Sequence, residues 1–224
     1  MKKSIFAAVS VAAMVVGGAA SAATFSIVDT DDTSFDFILG SGTAYNPTGT
    51  EAANLNGSSV RVFNSSTDGG SLGGGLYIDD NARISVEFLG KEAGYENKYV
   101  ELESDGQTQR LFNTDAIGDF FTYNQTGPGF VDFKFVSQGN SALVNQRDRL
   151  FNGGISESTG LDLGILLDNN STTAYLMFGD GGGNNDFDLD DMVMRLDIQP
   201  VPLPASSLLL LAGIGGLAAM KRRK

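Results

Sequence analysis

Five carboxylates crowd one short stretch of the chain. Asp180, Asp186, Asp188, Asp190 and Asp191 all fall within residues 178–192. In an extended segment Asp186, Asp188 and Asp190 project to one side, and Phe187 and Leu189 to the other. Three like charges along one edge repel one another unless water solvates them or a cation bridges them. Hard oxygen donors at this spacing suit Ca2+, which takes about six to eight oxygens at about 2.3–2.6 Å. Gly181, Gly182 and Gly183 let backbone carbonyls turn inward at little steric cost, and Asn184 and Asn185 offer further oxygens. Two readings stay open: a Ca2+ site, and an acidic turn held in water.

Other chemistry is constrained by what the chain lacks. It has no His and no Cys. Ser-His and Cys-His nucleophile systems, imidazole general bases and His-ligated metals are therefore excluded. A pair of carboxylates can hydrolyse glycosides without His, provided the two acids face each other across a groove. Six tyrosines, Tyr45, Tyr77, Tyr95, Tyr99, Tyr123 and Tyr175, are candidates to stack on sugar rings. Aromatic residues in β-domains more often fill cores or pair across strands. Binding of a polysaccharide is the alternative to a non-enzymatic structural role, and glycan hydrolysis ranks third.

The elements that must position these residues read as β throughout. Short β-branched and aromatic runs alternate with clusters of Gly, Asn, Asp, Ser and Thr, over residues 24–28, 34–39, 59–63, 82–89, 98–103, 108–113, 129–136, 161–167, 173–178 and 192–198. Residues 40–57 and 64–75 read as loops, and 141–151 as a place for a helical turn. The clearest alternation puts Ile84, Val86 and Phe88 on one side and Arg83, Ser85 and Glu87 on the other, as in a half-buried antiparallel strand. Asp105-Gly106 is a two-residue turn dipeptide and predicts a hairpin joining 98–103 to 108–113. About ten short strands with such turns predict an all-β fold: a single antiparallel β-sandwich, jelly-roll-like, over residues 23–200.

Both ends carry export signals. Residues 1–22 read as a secretory signal peptide, with Lys2 and Lys3 ahead of an apolar stretch and Ala20-Ser21-Ala22 as the cleavage site. Residues 201–224 place Pro202 and Pro204 before an apolar run that ends in Lys221, Arg222, Arg223 and Lys224. From Leu203 to Met220 the only polar side chains are Ser206 and Ser207. As a helix this stretch spans about 27 Å, close to the roughly 30 Å hydrocarbon core of a bilayer. The four cations would stay cytoplasmic and leave the domain outside.

Removing both ends changes the charge. The full chain has 15 basic and 27 acidic residues, whereas residues 23–200 keep nine basic and all 27 acidic ones, a charge of −18. Such a surface disfavours nucleic acid and anionic lipid. It favours solubility and divalent cations.

Val201-Pro202-Leu203-Pro204-Ala205, with the apolar run and the basic end behind it, resembles the VPLPA variant of the PEP-CTERM sorting signal. The resemblance covers about a tenth of the chain. It implies a Gram-negative protein exported by the Sec machinery and held in the membrane as a precursor. An exosortase-type transpeptidase would then process it near Val201–Ala205 and leave it at the cell surface or in the exopolysaccharide matrix. Asp186 to Asp191 and residues 84–95 also look like parts of domains found among such surface proteins. The Asp186, Asp188, Asp190 spacing resembles an EF-hand start, but Asp191 stands where that loop needs Gly. Gly181 to Asp186 resembles one secreted β-roll repeat, with no second copy.

Overall fold

The computed structural model describes residues 22–32, 34–41, 45–64, 71–92, 94–102, 108–137, 148–154, 160–180 and 189–199. The described chain is predominantly β, and every strand pairing is antiparallel. In chain order come β1 (Phe25–Asp29), β2 (Phe35–Ile38), α1 (Thr50–Ala53), β3 (Ser59–Asn64), β4 (Gly74–Ile78) and β5 (Ala82–Gly90). Then follow β6 (Asn97–Glu101), β7 (Arg110–Phe112), β8 (Phe120–Gln125), β9 (Gly129–Phe130) and β10 (Phe133–Ser137). The last are β11 (Asp148–Phe151), β12 (Asp162–Leu167), β13 (Thr173–Gly179) and β14 (Met192–Gln199).

These strands form a seven-stranded sheet in the order β2-β3-β12-β13-β14-β5-β8, a four-stranded sheet β11-β10-β6-β7 and a three-stranded sheet β1-β4-β9. One core cluster draws on all three: Phe25 and Ile78 from the smallest, Tyr99, Phe133 and Phe135 from the four-stranded, and Val86, Leu176 and Phe178 from the seven-stranded. Phe135 stacks on Phe178 with ring centroids 4.7 Å apart, which joins the two larger sheets across their inner faces.

Alternation places the strands as their sequences predict. In β5, Ile84, Val86 and Phe88 are buried while Arg83 is exposed. The pattern breaks at Leu89, which is buried beside Phe88. A register shift opposite Val193 and Met194 makes Leu89 the extra residue. It turns Leu89 into a second apolar cluster on the other side of the seven-stranded sheet, with Tyr45, Ala52, Leu55, Met177, Leu189 and Val193. Residues 45–57, expected to be a polar loop, therefore cover that side, and α1 gives them one short turn of helix.

Other expectations were too coarse. Residues 64–75 were expected to be loop, yet β4 begins at Gly74. The run at 129–136 is two strands in two sheets, because the chain changes sheets at Val131–Asp132. Asn152 holds that corner: its Nδ2 donates to the carbonyls of Leu76 and Val131, each at 2.8 Å, and its Oδ1 accepts from the Leu76 amide at 2.8 Å. Of residues 141–151, where a helical turn was expected, 148–151 are strand β11, paired with β10, and 141–147 lie outside the described residues. β8 was not expected at all. The pairing of β6 with β7 is antiparallel, as the hairpin requires, although Asp105-Gly106 lies outside the described residues.

Candidate functional site

Three of the five clustered aspartates are described. Asp180 follows β13, and Asp190 and Asp191 precede β14. Asp186 and Asp188 lie outside the described residues.

Local packing explains how the strand ends are fixed. Leu189 is fully buried and adopts a left-handed φ of 57°, which costs a side-chain-bearing residue roughly 1–2 kcal/mol. Its side chain lies over Gly164 and Gly179, where an added Cβ would sit 3.1 and 3.6 Å from the leucine methyls. The missing side chains on β12 and β13 thus make the hole that Leu189 fills. The left-handed turn interrupts the strict alternation expected of an extended segment. Asp190 and Asp191 then diverge.

Asp190 is fully buried and turns toward the 45–57 layer. Its Oδ2 accepts the Asn46 amide at 2.6 Å, and its carbonyl accepts the Glu92 amide at 2.7 Å. Burial raises the pKa of the neighbouring Tyr45 phenol, and the Asp190 charge adds to the effect. Asp191 turns the other way, where its Oδ2 accepts the Asp180 amide at 2.7 Å. Asp180 Oδ2 in turn accepts Asn97 Nδ2 at 3.0 Å. Asn113 joins through its amide, which donates to the Asn97 carbonyl at 2.9 Å, while its Nδ2 donates to the Tyr95 carbonyl at 2.7 Å.

This corner contains two stranded acceptors. Asn97 and Asn113 are buried, and the Oδ1 atom of each accepts no hydrogen bond. A buried acceptor left without a partner costs about 1–3 kcal/mol. Two amide oxygens beside two carboxylates are an all-oxygen donor set, the kind a hard cation takes. Among the described residues no group of three or more acidic side chains is disposed to hold a metal, so such an ion would draw on amide oxygens as well as on Asp180 and Asp191. Sequence reading missed Asn97 and Asn113. Each is an isolated Asn at a strand end, far along the chain from the aspartates, and nothing in its local pattern sets it apart from a turn residue.

A second carboxylate pair, Glu101 and Asp132, lies near Tyr99 and Tyr123, whose hydroxyls are 3.5 Å apart. Burial raises the pKa of Asp132 and the Glu101 charge adds to it, against a Gln125 hydrogen bond that lowers it. Glu101 is fully buried, which leaves a sugar no approach to it. The tyrosines proposed to stack on sugars are largely interior: Tyr45, Tyr99 and Tyr123 are buried, and Tyr77, Tyr95 and Tyr175 are half-buried. Tyr99 is a core ring, stacked on Phe133 at 5.2 Å.

The sorting motif Val201, Pro202, Leu203, Pro204 and Ala205 lies outside the described residues, as do Ala20 and the apolar tail. No helix among the described residues is long and apolar enough to cross a membrane. Ala22 is described and exposed, and the next residue, Ala23, is buried in the core. The chain matches no known family model, no curated protein and no solved structure.

Proposed function

We propose that this is an exported, non-enzymatic protein of the cell surface or exopolysaccharide matrix. Its working part is a jelly-roll-like β-sandwich over residues 23–200, carried between a signal peptide and a C-terminal sorting segment. The Sec machinery exports it, the tail holds the precursor in the inner membrane, and an exosortase-type enzyme processes it at Val201–Ala205. The observation that carries this reading is the three-part tail: a proline motif, an apolar run of bilayer length and four terminal cations. The packing of the two larger sheets through Phe135 and Phe178 supports a sandwich.

The same reading assigns Ca2+ to the corner of Asp180, Asp191, Asn97 and Asn113. Its support is the pair of stranded amide oxygens beside two carboxylates. In that role the ion would tie the start of β6 and the end of β7 to the ends of β13 and β14, and no reaction is involved.

Intact-mass analysis and cell fractionation test the export reading. The native protein is expected to lack residues 1–22 and the apolar tail and to fractionate outside the inner membrane. A chain lacking residues 201–224 is expected to lose that destination. Full-length protein in the cytoplasm, uncut at both ends, overturns it.

A further inference from the structure

Export moves a chain between two cation concentrations, and this chain has few other ways to register the move. It has no Cys, so no disulfide can form outside the cell and tighten the domain. Its acidic corner can respond instead. The four side chains of that corner come from distant parts of the sequence: Asn97 at the start of β6, Asn113 just beyond β7, Asp180 just beyond β13 and Asp191 just ahead of β14. Asn97 Nδ2 reaches Asp180 across 83 residues of chain, and the Asp180 amide reaches Asp191 across 11. An unfolded chain holds no such set. A cation that takes these oxygens therefore binds the folded state alone, and its binding energy is folding energy.

Strand order makes this site a late product of folding. β14 is the last strand in sequence, yet it lies inside the seven-stranded sheet, between β13 and β5. β5 and β8 join the rest of that sheet through β14. Asp191 immediately precedes β14, so the donor set closes only when that strand is in place. The closed corner, without a cation, buries Asn97 Oδ1 and Asn113 Oδ1 with no hydrogen bond to accept. Each stranded oxygen lowers the folding constant roughly five- to 150-fold.

We infer that Ca2+ at this corner is a compartment switch on folding, with the site empty inside the cell and filled outside it. The inference rests on the Ca2+ site assigned above and adds its regulation. Cytosolic Ca2+ sensors work at roughly 10⁻⁷–10⁻⁵ M, and extracellular modules at roughly 10⁻⁴–10⁻³ M. Affinity follows the number of ligand charges, and only two of these four side chains are charged, which places the corner in the second class. For a Kd of roughly 10⁻⁴ M, Ca2+ at about 10⁻⁷ M changes the folding constant by only about 0.1%, whereas about 1 mM raises it about tenfold. Before export the stranded oxygens weaken the folded state, which helps to keep the precursor open for threading through the membrane. After export the same corner, now loaded, strengthens it.

The full chain, held in mild detergent, is titrated calorimetrically with Ca2+ and melted in urea, in chelator and at about 0.1 µM, 1 mM and 10 mM Ca2+. The expected Kd is about 10⁻⁴ M, with the folding constant equal in chelator and at about 0.1 µM, about tenfold higher at 1 mM and about a hundredfold higher at 10 mM. Pulse proteolysis should find the open fraction about tenfold larger at about 0.1 µM than at 1 mM. Asn113→Asp adds a ligand charge and sets a carboxylate against the Tyr95 carbonyl. It is expected to melt earlier in chelator and to widen the ratio between 1 mM Ca2+ and chelator by about tenfold or more. Should that variant fold at no Ca2+ concentration, Asn97→Leu carries the test, with its response to Ca2+ expected to fall by more than half. A Kd below about 10⁻⁶ M, which loads the site inside the cell, overturns the switch and leaves the Ca2+ site standing. So does a folding constant that ignores Ca2+ although the ion binds. An Asn113→Asp chain with an unchanged or smaller response overturns the switch as well. No binding at any concentration overturns both the switch and the site. The export reading is decided separately, by mass and location in cells.

Discussion

Calcium at the Asn97 corner predicts a change in stability that the structure lets us size. Without a cation, the Oδ1 atoms of Asn97 and Asn113 are each buried with no hydrogen bond to accept, at about 1–3 kcal/mol apiece. A bound ion removes both penalties, and that relief is part of its binding free energy. Extracellular modules hold Ca2+ with Kd values of roughly 10⁻⁴–10⁻³ M. At roughly 10 mM Ca2+ a site at the tight end of that range is at about a hundred times its Kd, worth about 2.7 kcal/mol. For a domain of this size each kcal/mol moves the thermal midpoint by about 2–4 °C, so the expected rise is about 5–11 °C. Differential scanning calorimetry in Ca2+ and in chelator reads it, with Mg2+ giving a smaller shift because it gives up its waters reluctantly.

Asn97→Leu separates this mechanism from a general salt effect. Leucine keeps the branching of the side chain. It deletes the stranded acceptor and also the 3.0 Å hydrogen bond to Asp180. Those two changes have opposite signs and similar size, about 1–3 kcal/mol each. In chelator the variant should therefore melt close to the parent, while its response to Ca2+ should fall by more than half. A wild-type midpoint that ignores Ca2+, or a variant that responds in full, refutes the assignment.

Three further outcomes follow from single groups. Asn152→Ala removes three hydrogen bonds at the sheet-switching corner and should cost about 3 kcal/mol, a drop of about 6–12 °C. Asn152→Asp should be no better, since it puts a carboxylate against the Leu76 and Val131 carbonyls; urea titrations compare the two. The Thr24 amide and hydroxyl donate to Asp79, and these hydrogen bonds hold its pKa below the usual carboxylate value. With the folded pKa below the unfolded one, this link is fully present above about pH 3.9 and is lost as pH falls through the lowered value. Hydrogen exchange at Thr24 should rise in that acid window and should already be high at neutral pH in Asp79→Ala. Arg195 bridges Glu51 at 2.7 Å, Asp197 at 3.0 Å and Glu87 on the outer side of the seven-stranded sheet, all partly exposed. Arg195→Met should cost about 1–2 kcal/mol in low salt and less in high salt, measured by denaturant melts.

The strands with one buried face were legible because burial imposes a period of two. Ile84, Val86 and Phe88 show it in β5, and Phe133 and Phe135 show it in β10. Legibility failed where a tertiary contact overrode the local pattern. The stretch at 129–136 is apolar at alternate positions from end to end, and nothing in it announces that Val131 will pair with Leu76 before Phe133 joins Glu101. Gly74 and Gly75 read as loop because glycine usually marks one. They are strand here because the Cβ of any other residue would strike Val28 or Asn152. Tyr45 and Ala52 looked like loop residues because their burial comes from a second layer on the seven-stranded sheet, which sequence period cannot show.

The candidate site divides in the same way. Clustered aspartates are visible in one dimension; their partners are not. Asn97 and Lys98 make the point in two adjacent residues. Asn97 turns inward, with its amide on Asp180. Lys98 takes the opposite face of the sheet, in register between Val136 and Phe112, and is buried as well. Read in sequence, they are a polar pair at the start of a strand. Placed in the sheet, the pleat sends one to an acidic corner and the other to the opposite face. The charge average of the chain hides such placement, since a net of −12 does not tell which face of a sheet a given charged residue takes. Composition rules out a protein that is basic everywhere. It says nothing about where the few cations stand, and register decides that.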